Sequence, residues 1–155
     1  DLLHEKIPIV DMLTIIEAIA DIAEFTKAPE ILLEHVRSKL YRLITQKFKD
    51  IDGVLRILTI KPELEQQFIS KLQEHHGVSQ LMLSISEINN LVTKTKQLLD
   101  EVEKKGFSKV SMVVDPVLRK RISEIYEKFG LSIPVLSHAE LDSKANFAIE
   151  GTLEF

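Results

Sequence analysis

A chain of 155 residues and 17.7 kDa, 45% hydrophobic and 28% charged, is long enough to bury a core and too apolar to be intrinsically disordered. Twenty basic residues against 24 acidic ones, net −4, argue against a nucleic-acid binder, which needs a basic surface to neutralise phosphate. The absence of cysteine removes disulfides, thiolate nucleophiles and thiolate-held zinc together, and fits a reducing cytoplasm.

The longest apolar-rich run, Ile9 to Phe25, is interrupted by Asp11, Glu17, Asp21 and Glu24, so it does not read as a membrane span. Nor does the start read as a signal peptide, because Asp1, His4 and Glu5 stand where a basic region would be. A start without Met is expected of a piece of a longer protein. Pro8 suits the approach to a helix, where its missing N–H is not needed. Beyond it Met12, Ile15, Ile16, Ile19, Ile22 and Ala23 recur at helical spacing, with Asp11, Thr14, Glu17, Asp21 and Glu24 filling the other side. A second helix is expected from Pro29, with Leu32, Leu33, Val36, Leu40, Leu43 and Ile44 on one face. Glu30 and Glu34 lie near its positive end, Arg42 and Lys47 near its negative end. Neither helix can bury its stripe alone; each needs the other or a further neighbour.

The period changes after the turn-prone Asp50-Ile51-Asp52-Gly53. Val54 to Ile60 reads as a strand. Pro62 then opens a helix with Leu64, Phe68 and Leu72 on one side, expected to end near Gly77. Leu81 and Leu83 mark a second strand, and Ser84-Ile85-Ser86-Glu87 spells a capping box, in which hydroxyl and carboxylate each satisfy a backbone N–H. The following helix carries Ile88, Leu91, Val92, Leu98, Leu99 and Val102 and stops at Gly106. Val110 to Val114 is a third strand, Asp115-Pro116 caps a helix holding Leu118, Ile122, Ile125 and Phe129, and Val135-Leu136 is a fourth strand. Ser137 to Glu140 repeats the capping spacing, and the tail alternates Phe147, Ile149, Gly151, Leu153 and Phe155 on one face. The fold class expected is mixed α/β: a helical subdomain over 1–53, then an α/β subdomain over 54–155 with about four or five strands, three helices and a largely parallel or mixed sheet. The two parts are expected to form separate cores joined at Lys49–Gly53.

Ligands of open α/β folds bind where strands run into helices, and nucleotide sites there use glycines, because only bare backbone approaches phosphate closely. The junctions here are Lys61-Pro62-Glu63, Ser84 to Glu87, Asp115-Pro116 and Ser137 to Glu140. They hold no glycine, and three place a carboxylate in the first turn, where it repels an anion. They read as structural caps. His75-His76 reads as a helix end, where the dipole favours imidazolium, with no third ligand at metal spacing. His138 has no nucleophile elbow around Ser137, and His4 and His35 read as solvated. In the basic run Arg119-Lys120-Arg121, Arg119 and Lys120 lie off the Leu118/Ile122 stripe, so the run reads as a solvated face, with an acidic partner as the alternative. The residues therefore supply no catalytic, cofactor-binding or metal-binding set; the chain is expected to be no enzyme and to need no cofactor.

Taken together and in order, IPIVDMLTIIEAIADIAE, PEILLEHVRSKLYRLIT, LTIKPELEQQF, SMVVDPVLRKRI, PVLSHAEL and FAIEGTLEF resemble the FHIPEP family, the export-gate proteins of type III secretion, over nearly the whole chain. The pattern V-R-x-x-L-x-R-x-I, here Val36, Arg37, Leu40, Arg42 and Ile44, and the SHAEL segment resemble its flagellar branch. The resemblance implies the last two of four cytoplasmic subdomains of a multi-pass inner-membrane protein, on the cytoplasmic face, with 1–53 as the ring-forming subdomain. It implies a non-enzymatic scaffold in a nine-subunit ring. Its implied partners are other subunits of the gate, export chaperones and substrates, and other export-apparatus proteins, with no nucleic acid and no membrane contact of its own. Two alternatives stay open: the export gate of a virulence system, and a small α/β ligand-binding or enzymatic domain. Ring contacts are expected at Asp11 and Glu17 of the first helix and Arg37 and Arg42 of the second, one subunit's acidic face meeting the next subunit's basic one. Arg37 could equally serve as an internal partner of Glu34 or Glu30.

Overall fold

The computed structural model describes residues 1–76 and 78–155. Residues 1–10 run as an irregular strap up to Asp11, which caps α1 (Met12–Ala23) by accepting from the Thr14 N–H at 3.1 Å and the Thr14 hydroxyl at 2.7 Å. Pro29 opens α2 (Pro29–Lys39), and α3 (Tyr41–Phe48) follows. The single long helix expected here is two: Leu40, at φ −88° and ψ 17°, breaks the run. The break re-aims the chain without breaking the stripe, since Val36, Leu40, Ile44 and Phe48 all reach one core.

The Asp50 carboxylate then accepts from the N–H groups of Asp52 and Val54, each at 2.9 Å, and Gly53 takes φ +75°. That turn feeds β1 (Val54–Ile60). Pro62 starts α4 (Pro62–Ser70), which ends seven residues before the expected stop at Gly77, a residue outside the described ones. The chain forms instead an antiparallel hairpin of β2 (Leu72–His75) and β3 (Val78–Leu81). Cross-strand pairing of Leu72 with Leu81 lets both pack at the edge of the core, which a continued polar helix through Gln73-Glu74-His75 would not. His75 therefore lies in a strand rather than at a helix end, and His76 takes φ +53°.

The Ser84 capping box forms as spelled, with Glu87 N–H to Ser84 Oγ at 3.2 Å and Ser84 N–H to the Glu87 carboxylate at 2.7 Å, and opens α5 (Ile85–Lys104). β4 (Ser111–Val114), α6 (Pro116–Lys128), β5 (Val135–Ser137), a 3₁₀ turn (His138–Glu140) and β6 (Asn146–Leu153) complete the chain. β1, β4, β5 and β6 form one sheet in the order β5-β4-β1-β6, with every pairing parallel.

Alternation of side chains divides the strands between two cores. Leu58, Ile60, Met112, Val114 and Val135 face α4, α5 and α6, together with Phe68, Leu91, Leu118, Ile122 and Tyr126. Leu55, Ile57, Val113 and Leu136 face the other way, onto Val36, Leu40, Ile44, Phe48 and Ile7 of the strap. The helical part and the α/β part therefore do not form separate cores: the helices cover the second face of the sheet, and β1 and β4 are buried from both sides. No strand is drawn from before Val54. The tail also departs from simple alternation. Ile57 pairs with Ile149 but Leu58 with Gly151, so Glu150 is an extra residue and a bulge shifts the pleat. Phe147 and Ile149 thus share the face of Leu55 and Ile57, while Leu153 enters the core on the opposite face.

Candidate functional site

Of the four strand–helix junctions, those at Ser84, Asp115 and Ser137 carry capping contacts, while Lys61 makes no side-chain cap and its helix opens on Pro62. Asp115 accepts from the Val117 N–H at 3.0 Å, and its own N–H donates to Glu65 at 3.2 Å. The Ser137 N–H donates to the Glu140 carboxylate at 3.2 Å, as the capping spacing predicted. His138 stands with Nε2 4.0 Å from Glu65, exposed. Among the described residues no three His, Asp or Glu side chains converge as a metal site requires. None of the described helices is long and apolar enough to cross a membrane.

Two features remain where chemistry or recognition can act. The first is the outer face of α1. Only Ile15 and Ala18 of this helix are buried, against α2. Met12, Leu13, Ile16 and Ile19 of the apolar side are exposed, by 68% at Leu13 and 59% at Ile16, and Ile9 and Val10 of the strap extend the patch. The apolar stripe expected to be a single buried surface is therefore split, one edge against α2 and the other open. Glu17, Asp21 and Glu24 border the open edge, and α1 carries no Lys or Arg. An apolar patch with a one-sign charged rim marks an interaction surface more often than a plain exterior.

The second feature is a buried ion-pair junction that ties strap, helices and sheet together. Arg37 of α2, 1% exposed, gives the Glu140 carboxylate a two-pronged contact, Nε at 2.5 Å and a terminal nitrogen at 2.9 Å, and reaches Glu5 of the strap at 2.7 Å. Arg119 of α6, also 1% exposed, grips Glu34 of α2 at 2.5 to 3.0 Å and touches Glu5 at 3.2 Å. Lys120 donates to Glu5 at 2.9 Å, and Arg121 joins Glu30 at 2.5 Å and the Ser79 carbonyl of the hairpin at 2.7 Å. Thr45 of α3 adds a hydroxyl bond to the Glu140 carbonyl at 3.2 Å. Burial alone would raise the Glu5 carboxyl, but Arg119, the Lys120 hydrogen bond and Arg37 outweigh it and hold it below the ordinary glutamate range. Burial would likewise lower Arg119, yet Glu34, Glu5 and Glu140 keep it firmly charged, with its pKa raised.

These placements revise the sequence expectations residue by residue. Arg37 is not on an accessible basic face: it is enclosed, and its partners are Glu140 and Glu5 rather than Glu34 or Glu30. Glu34 and Glu30 pair instead with Arg119 and Arg121, so the basic run read as a solvated face is largely internal. His35 is not simply solvated either, since its Nε2 is buried without a hydrogen-bond partner among the described residues. Asp11, Glu17 and Arg42 are exposed, but Asp11 is engaged as the α1 cap, and it lines one shallow cleft together with Arg42, Lys39 and Tyr41. The Thr14 hydrogen bonds hold the Asp11 carboxyl low. The residues missed were Glu5, Glu140 and Arg119. A cue existed for Arg119 and Glu34: each lies one position from an apolar residue on a helix that must face another helix, where a charged group is excluded from water unless paired. Nothing local marks Glu5, because its partners lie 32 and more positions away.

Comparison with known proteins places this geometry. The model of the FHIPEP family matches residues 1–146. The chain is 43% identical over 153 residues to the flagellar biosynthesis protein FlhA of Helicobacter pylori strain J99, covering 98% of this chain and 21% of that protein. Among solved structures it resembles the Chlamydia pneumoniae CdsV protein, with a TM-score of 0.85 and 21% identity over 99% of this chain and 43% of that one. It also resembles the nonameric SctV-C of EPEC, with a TM-score of 0.85 and 22% identity over 97% of this chain and 45% of that one. The chain thus spans about a fifth of the length of the FlhA relative.

Proposed function

The chain belongs to the FHIPEP family, and we propose that it serves as the C-terminal part of a flagellar type III export gate, a docking and assembly scaffold that performs no chemistry of its own. The family and its structural neighbours are secretion proteins and not known enzymes. The flagellar branch is supported by the 43% identity to FlhA. The observation that carries the scaffold reading is the open apolar face of α1, set beside strand–helix junctions of which three of the four carry their own capping contacts.

In this reading residues 1–53 supply contacts to neighbouring subunits in a ring, as the nonameric relative assembles, and 54–155 support them from behind. The open edge of α1, with Leu13 and Ile16 at its centre, makes the apolar contact. Glu17 of α1 and Arg42 beside Asp11 supply charged contacts at its rim, each contributing about 0–1 kcal/mol and weakening with salt, so they set register more than affinity. Arg37 takes no part except through the junction that holds α2 in place. Export chaperones and their substrates, together with other parts of the export apparatus, are the remaining partners of this scaffold, and the gate is held at the cytoplasmic face of the inner membrane through other parts of the longer protein.

Reversing Arg42 to Glu in the longer protein tests the rim. Arg42 is exposed and caps no helix, so folding should be retained while ring assembly weakens, most at low salt where the new Glu repels its acidic partner unscreened, and export of flagellar proteins falls. Unchanged assembly and unchanged motility would remove Arg42 from the interface.

A further inference from the structure

The three carboxylates that hold Arg37 and Arg119 are not equivalent. Glu140 is the two-pronged partner of Arg37, and Glu34 is the two-pronged partner of Arg119. Removing either would leave a buried guanidinium without its two-pronged partner and with only its one-point contact to Glu5. Glu5 is different. It touches Arg37, Arg119 and Lys120, but if it withdraws, Arg37 keeps Glu140 and Arg119 keeps Glu34. Only Lys120 loses its partner, and its side chain is already 27% exposed and can turn to water. The Glu5 carboxylate itself would pass into water, where it is well solvated.

What Glu5 fastens is weakly held otherwise. The strap contributes Ile7 to the core and Leu2 to its edge, and its Lys6 carbonyl accepts from Lys47. α1 follows directly and buries only Ile15 and Ala18, packing mainly on α2. By contrast α2 and α3 are fixed to the sheet through Val36, Leu40, Ile44 and Phe48 and through the Arg37–Glu140 and Thr45–Glu140 contacts. Segments with few buried apolar side chains open locally at lower free energy than the core they lean on.

We propose that residues 1–23 are a releasable flap: strap and α1 lift together from α2 when the Glu5 clasp opens, while the sheet and its helices stay folded. The flap's Leu2, Ile9, Ile15 and Ile19 form one wall of an apolar groove whose other wall is Leu32, Leu33 and Val36 of α2, and opening bares that α2 wall. It also swings the acidic-rimmed face of α1 away from the body. The device does not depend on what α1 contacts. It is a property of how the charges are distributed over the junction.

Native-state hydrogen exchange on the 155-residue chain tests it with two variants. Ile60→Val trims the core on the far face of the sheet and should speed exchange of β1 and β4 amides about threefold to tenfold, while α1 amides stay at their wild-type rates. Glu5→Gln removes the clasp's charge and should speed exchange of α1 amides about tenfold or more. If α1 amides accelerate together with β1 in Ile60→Val, the helix opens only when the whole chain unfolds and there is no flap. If Glu5→Gln leaves α1 rates unchanged, or prevents folding altogether, Glu5 is not a separable clasp.

Discussion

The two faces of the central sheet are stabilised by different physics. On the face covered by α4, α5 and α6 the contact is almost wholly apolar, and its one buried polar pair, Tyr126 with Thr95 at 2.8 Å, is internally satisfied. On the face covered by the strap, α2 and α3, a smaller apolar cluster is flanked by two enclosed arginines and their carboxylates. Apolar burial is non-directional and forgives small shifts, whereas a two-pronged guanidinium–carboxylate contact holds only at one angle and distance. The first face builds the body. The second fixes the direction in which the helical part, and with it α1, is presented. This division suits the scaffold role proposed above, in which the output is the placement of a surface.

The sharpest break of that comparison is Arg37→Met. It leaves Glu140 enclosed with no two-pronged partner and should cost about 3–5 kcal/mol in urea unfolding. The double variant Arg37→Met with Glu140→Leu should recover much of that loss, because a buried pair replaced by apolar groups is often near neutral. A single-variant loss below about 1 kcal/mol would mean that the junction is incidental.

Next in size is the opposite face. Leu58, 0% exposed, should cost about 2–5 kcal/mol as Leu58→Ala through lost transfer energy and a residual cavity, with no dependence on salt. Gly151→Ala then tests the bulge beside it. A Cβ there would stand 3.0 Å from Leu98 Cδ2 and 3.2 Å from Leu58 Cδ2, an overpacking of about 1 kcal/mol. Combined with Leu58→Ala, which removes the 3.2 Å contact and gives Leu98 room to shift, the added methyl should cost less than it does alone, and simple additivity of the two would contradict the placement.

The smallest effect is on pH. Because the folded-state Glu5 carboxyl lies below its unfolded value of about 4.3, its contribution is fully present above that value and is lost as pH falls through the lower folded value. Thermal melts of wild type should therefore fall more steeply across this acid range than those of Glu5→Gln. Parallel curves would show that Glu5 makes no differential contribution.

Much of the architecture was legible because it is local. The Ser84–Glu87 box, the Asp115 cap and the Asp50–Gly53 turn are each written within a few residues, and each formed as spelled; the alternation of strands with helices held except at the β2–β3 hairpin. The failures share one cause, which is dependence on distant partners. Leu40 breaks a periodic helix because the sheet behind it sets where Ile44 and Phe48 must go. Gln73-Glu74-His75 forsakes a plausible helix because Leu81 is available across the hairpin. Arg119 reads as a surface charge, and Arg37 as an interface residue or a partner of Glu34 or Glu30, until Glu140, 103 positions from Arg37, is brought against them. The exposed edge of α1 was hidden for the opposite reason: a periodic apolar stripe looks the same whether or not anything covers all of it.

The most direct test of the scaffold reading is the paired change Leu13→Gln and Ile16→Gln in the longer protein. Both side chains are exposed, so the stability of the 155-residue chain should move by no more than about 0.5 kcal/mol. Ring assembly of the longer protein, followed by analytical ultracentrifugation and electron microscopy, should be lost or strongly weakened, and export of flagellar proteins with it. Rings that form as readily as those of the wild type, with export intact and the fold unchanged, would show that the open face of α1 is not the surface through which this module acts.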